Sequence, residues 1–194
     1  MTAFTDMQLD ALRELANIGS GNAGTALSSM LGKSVDISVP TAAALPLAEA
    51  VAVAGAPGEL RYGVVVPVVG DFEAIVLLLF PEPDARTLCG IYGIEPSTPD
   101  GHSMLGEVGN ILGTNYINVL SQMVDMVMEP APPQVVEDML GSILSSVLLG
   151  RGDGIDEALV LDSELIVESE QCSLSFLLLP SHGGIKQLLE RLGL

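Results

Sequence analysis

Two long stretches of the chain repeat their apolar residues with the 3.6-residue period of an amphipathic helix. In the first, over Met7–Leu31, Leu9, Leu12, Ala23, Ala26, Leu27 and Met30 gather on one side, while Asp10, Asn17 and Gly21 fall within about 60° of Glu14 on the other. Phe4-Thr5-x-x-Gln8-Leu9 reads as a capping box with a hydrophobic staple at its start, and Gly32 as its stop. The second helix is expected over Gly101–Val127, opened by Thr98-Pro99 and bounded by Pro130. It carries Ser103, Glu107, Asn110 and Thr114 at the four matching outward positions. Short apolar runs predict six strands, at Ser34–Val39, Leu60–Val69, Glu73–Phe80, Met126–Glu129, Ala158–Glu168 and Gln171–Leu179. Further helical stretches are expected at Ala42–Val51, Asp84–Ile91, Gln134–Leu149 and Ile185–Arg191.

The two long helices belong to a repeat. Set against itself at an offset of 93, the chain pairs Glu14 with Glu107, Asn17 with Asn110, Ile18 with Ile111 and Asn22 with Asn115. Leu27, Ser28, Met30 and Pro40 likewise meet Leu120, Ser121, Met123 and Pro133. An internal duplication therefore sets the architecture, with repeats of about 1–97 and 98–194 joined through Glu95-Pro-Ser-Thr-Pro-Asp-Gly101. The expected fold is α+β: one domain with a pseudo-two-fold, in which a six-stranded, antiparallel-rich sheet is covered by the two long helices.

Composition narrows the partners. Lys and Arg number 7 against 25 Asp and Glu, a net charge of −18, which repels phosphate backbones and anionic membrane surfaces, so no nucleic acid is expected as a partner. No apolar run reaches the roughly 18–20 residues of a membrane span and the start lacks a basic leader, so no membrane insertion and a cytoplasmic location are expected. Cys89 and Cys172 have no metal-ligand spacing and read as two free packed thiols. His102 and His182 lack ligand-spaced partners, and the acids around Asp153–Glu157 fail the calcium-loop spacing, so no metal site is expected. Gly19-Ser-Gly-Asn-Ala-Gly24 matches the dinucleotide fingerprint letter for letter, but it lies inside a helix without a preceding strand and reads as helix packing. For Gly21 two readings stand, a packing glycine or a place where a partner's backbone comes close.

The chemistry-bearing constellation is Asp10-x3-Glu14-x2-Asn17-x22-Pro40, which returns as Ser103-x3-Glu107-x2-Asn110-x22-Pro133. A single Glu–Asn pair one turn apart is an ordinary solvated helix face; the same pair in both repeats is not ordinary. The constellation resembles that of the CheC/CheX/FliY family of chemotaxis phosphatases. That resemblance implies removal of the phosphoryl group from the phosphorylated response regulator CheY. Glu14 and Glu107 would dock the regulator's active-site lysine, and Asn17 and Asn110 would orient an in-line water; Pro40 and Pro133 read from the sequence as structural, ending a strand or setting a turn. It implies no cofactor of the chain's own, magnesium being expected on the regulator, and the receptor deamidase CheD as a second partner. The same fold is similar to the middle domain of the flagellar switch protein FliM, so a noncatalytic CheY-binding or switch-type module is the alternative.

Overall fold

A computed structural model describes residues 6–149, 155 and 157–192. Helix α1 (Asp6–Leu31) ends where Gly32 takes φ 63°, a left-handed turn that favours glycine, and the chain enters strand β1 (Val35–Pro46). Helix α2 (Leu47–Ala54), strands β2 (Leu60–Gly70) and β3 (Ala74–Pro81) and helix α3 (Glu82–Gly90) complete the first half. The second repeats it: α4 (Pro99–Val124), β4 (Met128–Pro130) with β5 (Gln134–Met139), α5 (Leu140–Leu149), β6 (Glu157–Val167), β7 (Glu170–Pro180) and α6 (Gly184–Arg191). At the start of α4 the Thr98 hydroxyl accepts from the Gly101 N–H at 3.2 Å and Pro99 follows, the capping read from the sequence.

All strands pair antiparallel in one sheet of order β1-β6-β7-β3-β2-β4, with β5 also on β2. Named by their place in each repeat, the strands read the same from either edge. The first strand of each half lies against the second strand of the other, and β3 and β7 meet in the middle. The two edges even share an irregularity. Between Ser38↔Glu164 and Thr41↔Asp162, β1 spends one residue more than β6, and between Pro130↔Val68 and Gln134↔Val65 the second half does the same against β2. Pro40 and Pro133 lie within these two steps, where a proline costs no ladder hydrogen bond.

The central strands are buried on both faces. Val76, Leu78, Phe80, Phe176 and Leu178 face the long helices together with α3 and α6, while Leu77, Leu79, Leu177 and Leu179 face α2 and α5. With about 1.5–3 kcal/mol for each large side chain fully buried, this double-sided core anchors the scaffold under α1 and α4.

Several local expectations change. The sheet has seven strands, not six: Gln134–Met139, expected as the start of a helix, pairs with β2 through Leu60↔Met139 to Val65↔Gln134, and α5 starts at Leu140. In the first half Ala42–Pro46 likewise extends β1, because pairing with β6 outweighs the helix propensity of Ala42-Ala-Ala-Leu45. Helix α4 stops at Val124, before Pro130, because Asp125 takes the left-handed conformation (φ 52°, ψ 52°) and its N–H bonds the Ser121 carbonyl. Strand β4 accordingly starts at Met128. Met30, expected on the core face, is 38% exposed. The capping box around Thr5 lies outside the described residues.

Candidate functional site

Helices α1 and α4 pack side by side over one face of the sheet, and each turns its motif outward. Glu14 and Asn17 are exposed, as is Glu107, and Asn110 is half-buried. Residues three apart on a helix stand about 5–6 Å from one another at Cβ, so each acid and amide form one contiguous polar surface. None of the four side chains has a hydrogen bond or ion pair among the described residues. An amide with free donor and acceptor atoms beside a free carboxylate is equipped to hold a water and to meet a cation from outside.

Several of the repeated residues have a clear task inside the molecule. Leu27 and Leu120 are buried in the core. Ser28 Oγ accepts from the Val35 N–H at 3.0 Å and donates to the Gly24 carbonyl at 2.7 Å, tying the end of α1 to β1, and Ser121 Oγ donates to the Met126 carbonyl at 2.6 Å, tying the end of α4 to the turn before β4. Asn115 Nδ2 donates to the Ile111 carbonyl at 2.8 Å. Glu14, Asn17 and their counterparts perform no such internal task. Among the described residues no internal hydrogen bond or ion pair of these four side chains accounts for their recurrence.

The flanking residues fare differently. Asp10 is exposed, and Arg13 Nη1 lies 2.8 Å from it, so its negative charge is offset by its neighbour. With side chains 72% and 61% exposed, that pair adds at most ~1 kcal/mol to stability. Ser103 is exposed at the matching position of α4. Beside it His102 Nε2 lies 3.4 Å from Glu137 of β5 and its ring stands edge-on to Tyr62, whose phenol is pushed up to about 12 by burial and then by Glu137. Pro40 and Pro133 belong to the sheet irregularities, not to the outward faces. Sequence reasoning missed Ile18, which is 42% exposed next to Asn17. The signal was available, since an apolar residue about 40° from Glu14 on the helical wheel stands on the wrong side for a core contact.

The three glycines of the false fingerprint are not equivalent. A Cβ on Gly19 would lie 2.4 Å from Cδ1 of Tyr116, and one on Gly24 would lie 3.2 Å from the Val35 carbonyl oxygen, so both glycines let α1 approach its neighbours closely. A Cβ on Gly21 would meet nothing within 4 Å. Gly21 is exposed in mid-helix, where glycine costs about 1 kcal/mol relative to alanine, and no packing requirement offsets that cost.

Among the described residues no group of three or more His, Cys, Asp or Glu side chains is placed to hold a metal ion, and no helix is long and apolar enough to cross a membrane. A polar groove elsewhere, lined by Glu59, Arg61, Asp162, Glu164 and Ser175 among others, contains none of the four motif residues.

The CheC-like family model matches this chain twice, at residues 7–43 and 101–137, each time spanning a long helix, its Glu–Asn pair and the strand that follows. The chain resembles the CheC-like family in both of its repeats. It is 29% identical over 196 residues to the CheY-P phosphatase CheC of Bacillus subtilis, covering 96% of this chain and 94% of that protein. Its fold is similar to that of Thermotoga maritima FliY, with a TM-score of 0.79 and 20% identity over 100% of this chain and 98% of the other. It is also similar to the FliM middle domain from H. pylori, with a TM-score of 0.71 and 13% identity over 97% of this chain and 99% of the other. The chain therefore shares its fold with both FliY and the FliM middle domain, and a shared fold does not by itself assign a role.

Proposed function

We propose that this CheC-like chain is a phosphatase of a CheY-type response regulator, hydrolysing its aspartyl phosphate at two related sites, Glu14/Asn17 and Glu107/Asn110. The observation that carries the reading is the same acid–amide pair, outward-facing and without an internal partner, on both long helices. Homology to a CheY-P phosphatase over nearly the whole chain supports it.

The chemistry asks little of such a protein. Phosphoryl transfer passes through a loose transition state, so the missing ingredient is a water held in line with the bond that breaks. The carboxamide of Asn17 or Asn110 accepts from and donates to that water without placing a second negative charge beside the phosphoryl group. The water oxygen bonds to phosphorus as the bond from phosphorus to the aspartyl oxygen breaks; the free carboxylate leaves, and the water's oxygen departs in inorganic phosphate. Glu14 or Glu107, one turn away, forms a charge-assisted hydrogen bond with a lysine beside the regulator's phosphorylation site and fixes the register of docking. Magnesium that neutralises the phosphoryl group is supplied by the regulator. The protein acts in the cytoplasm, where such regulators are phosphorylated, and the receptor deamidase CheD is its proposed second partner.

Phosphate release from phosphorylated regulator tests the reading. Asn17→Ala with Asn110→Ala is expected to return the rate to that of the regulator alone, a loss of ~100-fold or the whole stimulation if that is smaller, with an unchanged circular dichroism spectrum. Glu14→Ala with Glu107→Ala is expected to raise KM more than it lowers kcat. Full stimulation by the folded double asparagine variant overturns the water-orienting role, and binding without stimulation by the wild type makes the chain a noncatalytic module like the switch protein it resembles in fold.

A further inference from the structure

Gly21 stands one turn beyond Asn17 and three residues beyond Ile18, on the same outward face of α1. Helical side chains lean towards the N-terminus, so a side chain at position 21 would lie back over the surface between Asn17 and Ile18. Its absence leaves the Asn17 amide open on that side. Glycine there is not explained by packing, since a Cβ would meet nothing within 4 Å, nor by a cap or kink, since α1 continues ten residues further to Leu31 with Thr25 Oγ1 donating to the Gly21 carbonyl at 3.0 Å. In α4 the matching residue is Thr114, half-buried, beside an asparagine that is itself half-buried. Two features thus coincide only at the first site: an uncovered amide, and a bare backbone edged by the exposed Ile18.

We propose that Gly21 and Ile18 form a close-approach notch for the backbone of the phosphorylated regulator, with Ile18 covered by an apolar residue of that partner and Gly21 setting how deeply Asn17 reaches. Gly21 is a positioning residue. It touches no reacting atom, and acts by admitting the partner to the distance at which the amide holds the water. This rests on the proposed phosphatase reading, and it adds which part of α1 the partner occupies.

The test separates fit from fold, because the two move in opposite directions. In an Asn110→Ala background, which leaves the first site alone, Gly21→Ala and Gly21→Leu are introduced and three quantities are read: melting temperature, phosphate release, and affinity for regulator bearing beryllofluoride. Removing an exposed mid-helix glycine is expected to raise the melting temperature by about 2–4 °C. Over the same series kcat/KM is expected to fall ~10-fold for the alanine and ~100-fold or more for the leucine, since a displacement of ~1 Å costs on that order. The Gly21 substitutions in an Asn17→Ala background, which leaves the second site alone, are expected to change phosphate release less than two-fold. A stabilised Gly21→Leu variant with undiminished release and affinity overturns the notch while leaving the phosphatase reading in place. If the unmodified chain releases no phosphate yet binds the regulator, the phosphatase reading falls and the affinity series alone decides the notch; if it does neither, both fall.

Discussion

Substituting Gly19 by alanine tests whether α1 and α4 are held at the separation the structure shows. The added Cβ would lie 2.4 Å from Cδ1, 2.8 Å from Cε1 and 3.2 Å from Cγ of Tyr116. The ring has nowhere to go: Tyr116 is 2% exposed and is backed by Phe176, whose ring centroid is 4.9 Å away. Overpacking of this kind costs about 1–3 kcal/mol, against which alanine returns about 1 kcal/mol of helix propensity, so a net loss of ~1 kcal/mol is expected. For a chain of this size that lowers the melting temperature by about 2–4 °C. The same substitution two residues on, Gly21→Ala, is expected to raise it by a similar amount, so the two variants should differ by ~2 kcal/mol although their chemistry is identical. Replacing Tyr116 by leucine removes the ring atoms in question. In that background Gly19→Ala should become stabilising, giving a coupling of ~2 kcal/mol between positions 19 and 116. Thermal and urea melts followed by circular dichroism measure all four corners of the cycle. If Gly19→Ala melts at or above the wild type, or the cycle shows no coupling, the close approach at Tyr116 does not set the helix separation.

Two further outcomes are expected. Burial, followed by weaker influence from nearby acids, raises the thiol pKa of Cys89 and of Cys172 to about 11, so both thiols stay neutral at pH 8 and should react with iodoacetamide far more slowly in the native protein than in guanidinium; equal rates would contradict their packing. Because Asn17 is exposed beside bare Gly21 while Asn110 is half-buried beside Thr114, Asn17→Ala should lower phosphate release at saturating regulator more than Asn110→Ala, by ~10-fold or more where alignment is lost; equal losses or the reverse order would refute the steric ranking.

The motif helices are legible in the sequence because their signals are local. Periodicity, the Thr98-Pro99 cap and Gly32 each act within a turn or two, and the 93-residue offset alone ties Glu14/Asn17 to Glu107/Asn110. What local patterns do not carry is the exchange of strands between the halves. Gln134-Val-Val-Glu-Asp-Met139 is strand only because β2 of the other repeat lies beside it, and Ala42–Pro46 is strand only because β6 does the same for β1. Both departures fall on the same element of the repeat, the first strand beyond its proline. The offset of 93 maps β1, Val35–Pro46, onto Met128–Met139, so a strand recognised on either side implies one on the other.

That exchange bears on the site itself. Each long helix is followed by the strand that crosses to the other half, with Ser28 bonded to the start of β1 and Ser121 to the turn before β4. The position of Glu14 and Asn17 is therefore set through β1 by the second repeat's β6, and that of Glu107 and Asn110 through β4 and β5 by the first repeat's β2. A repeat cut out alone would lose the strand that pairs with its own second strand and the helix against which its motif helix packs. The asymmetry between Gly19 and Tyr116 fits the same picture. The positions related to them by the repeat are Leu112 and Ala23, both fully buried, so the small and large positions are exchanged between the two helices while the identities differ. The two repeats thus differ in how their helices are packed, and they differ likewise in the setting of the two asparagines, one exposed and the other half-buried.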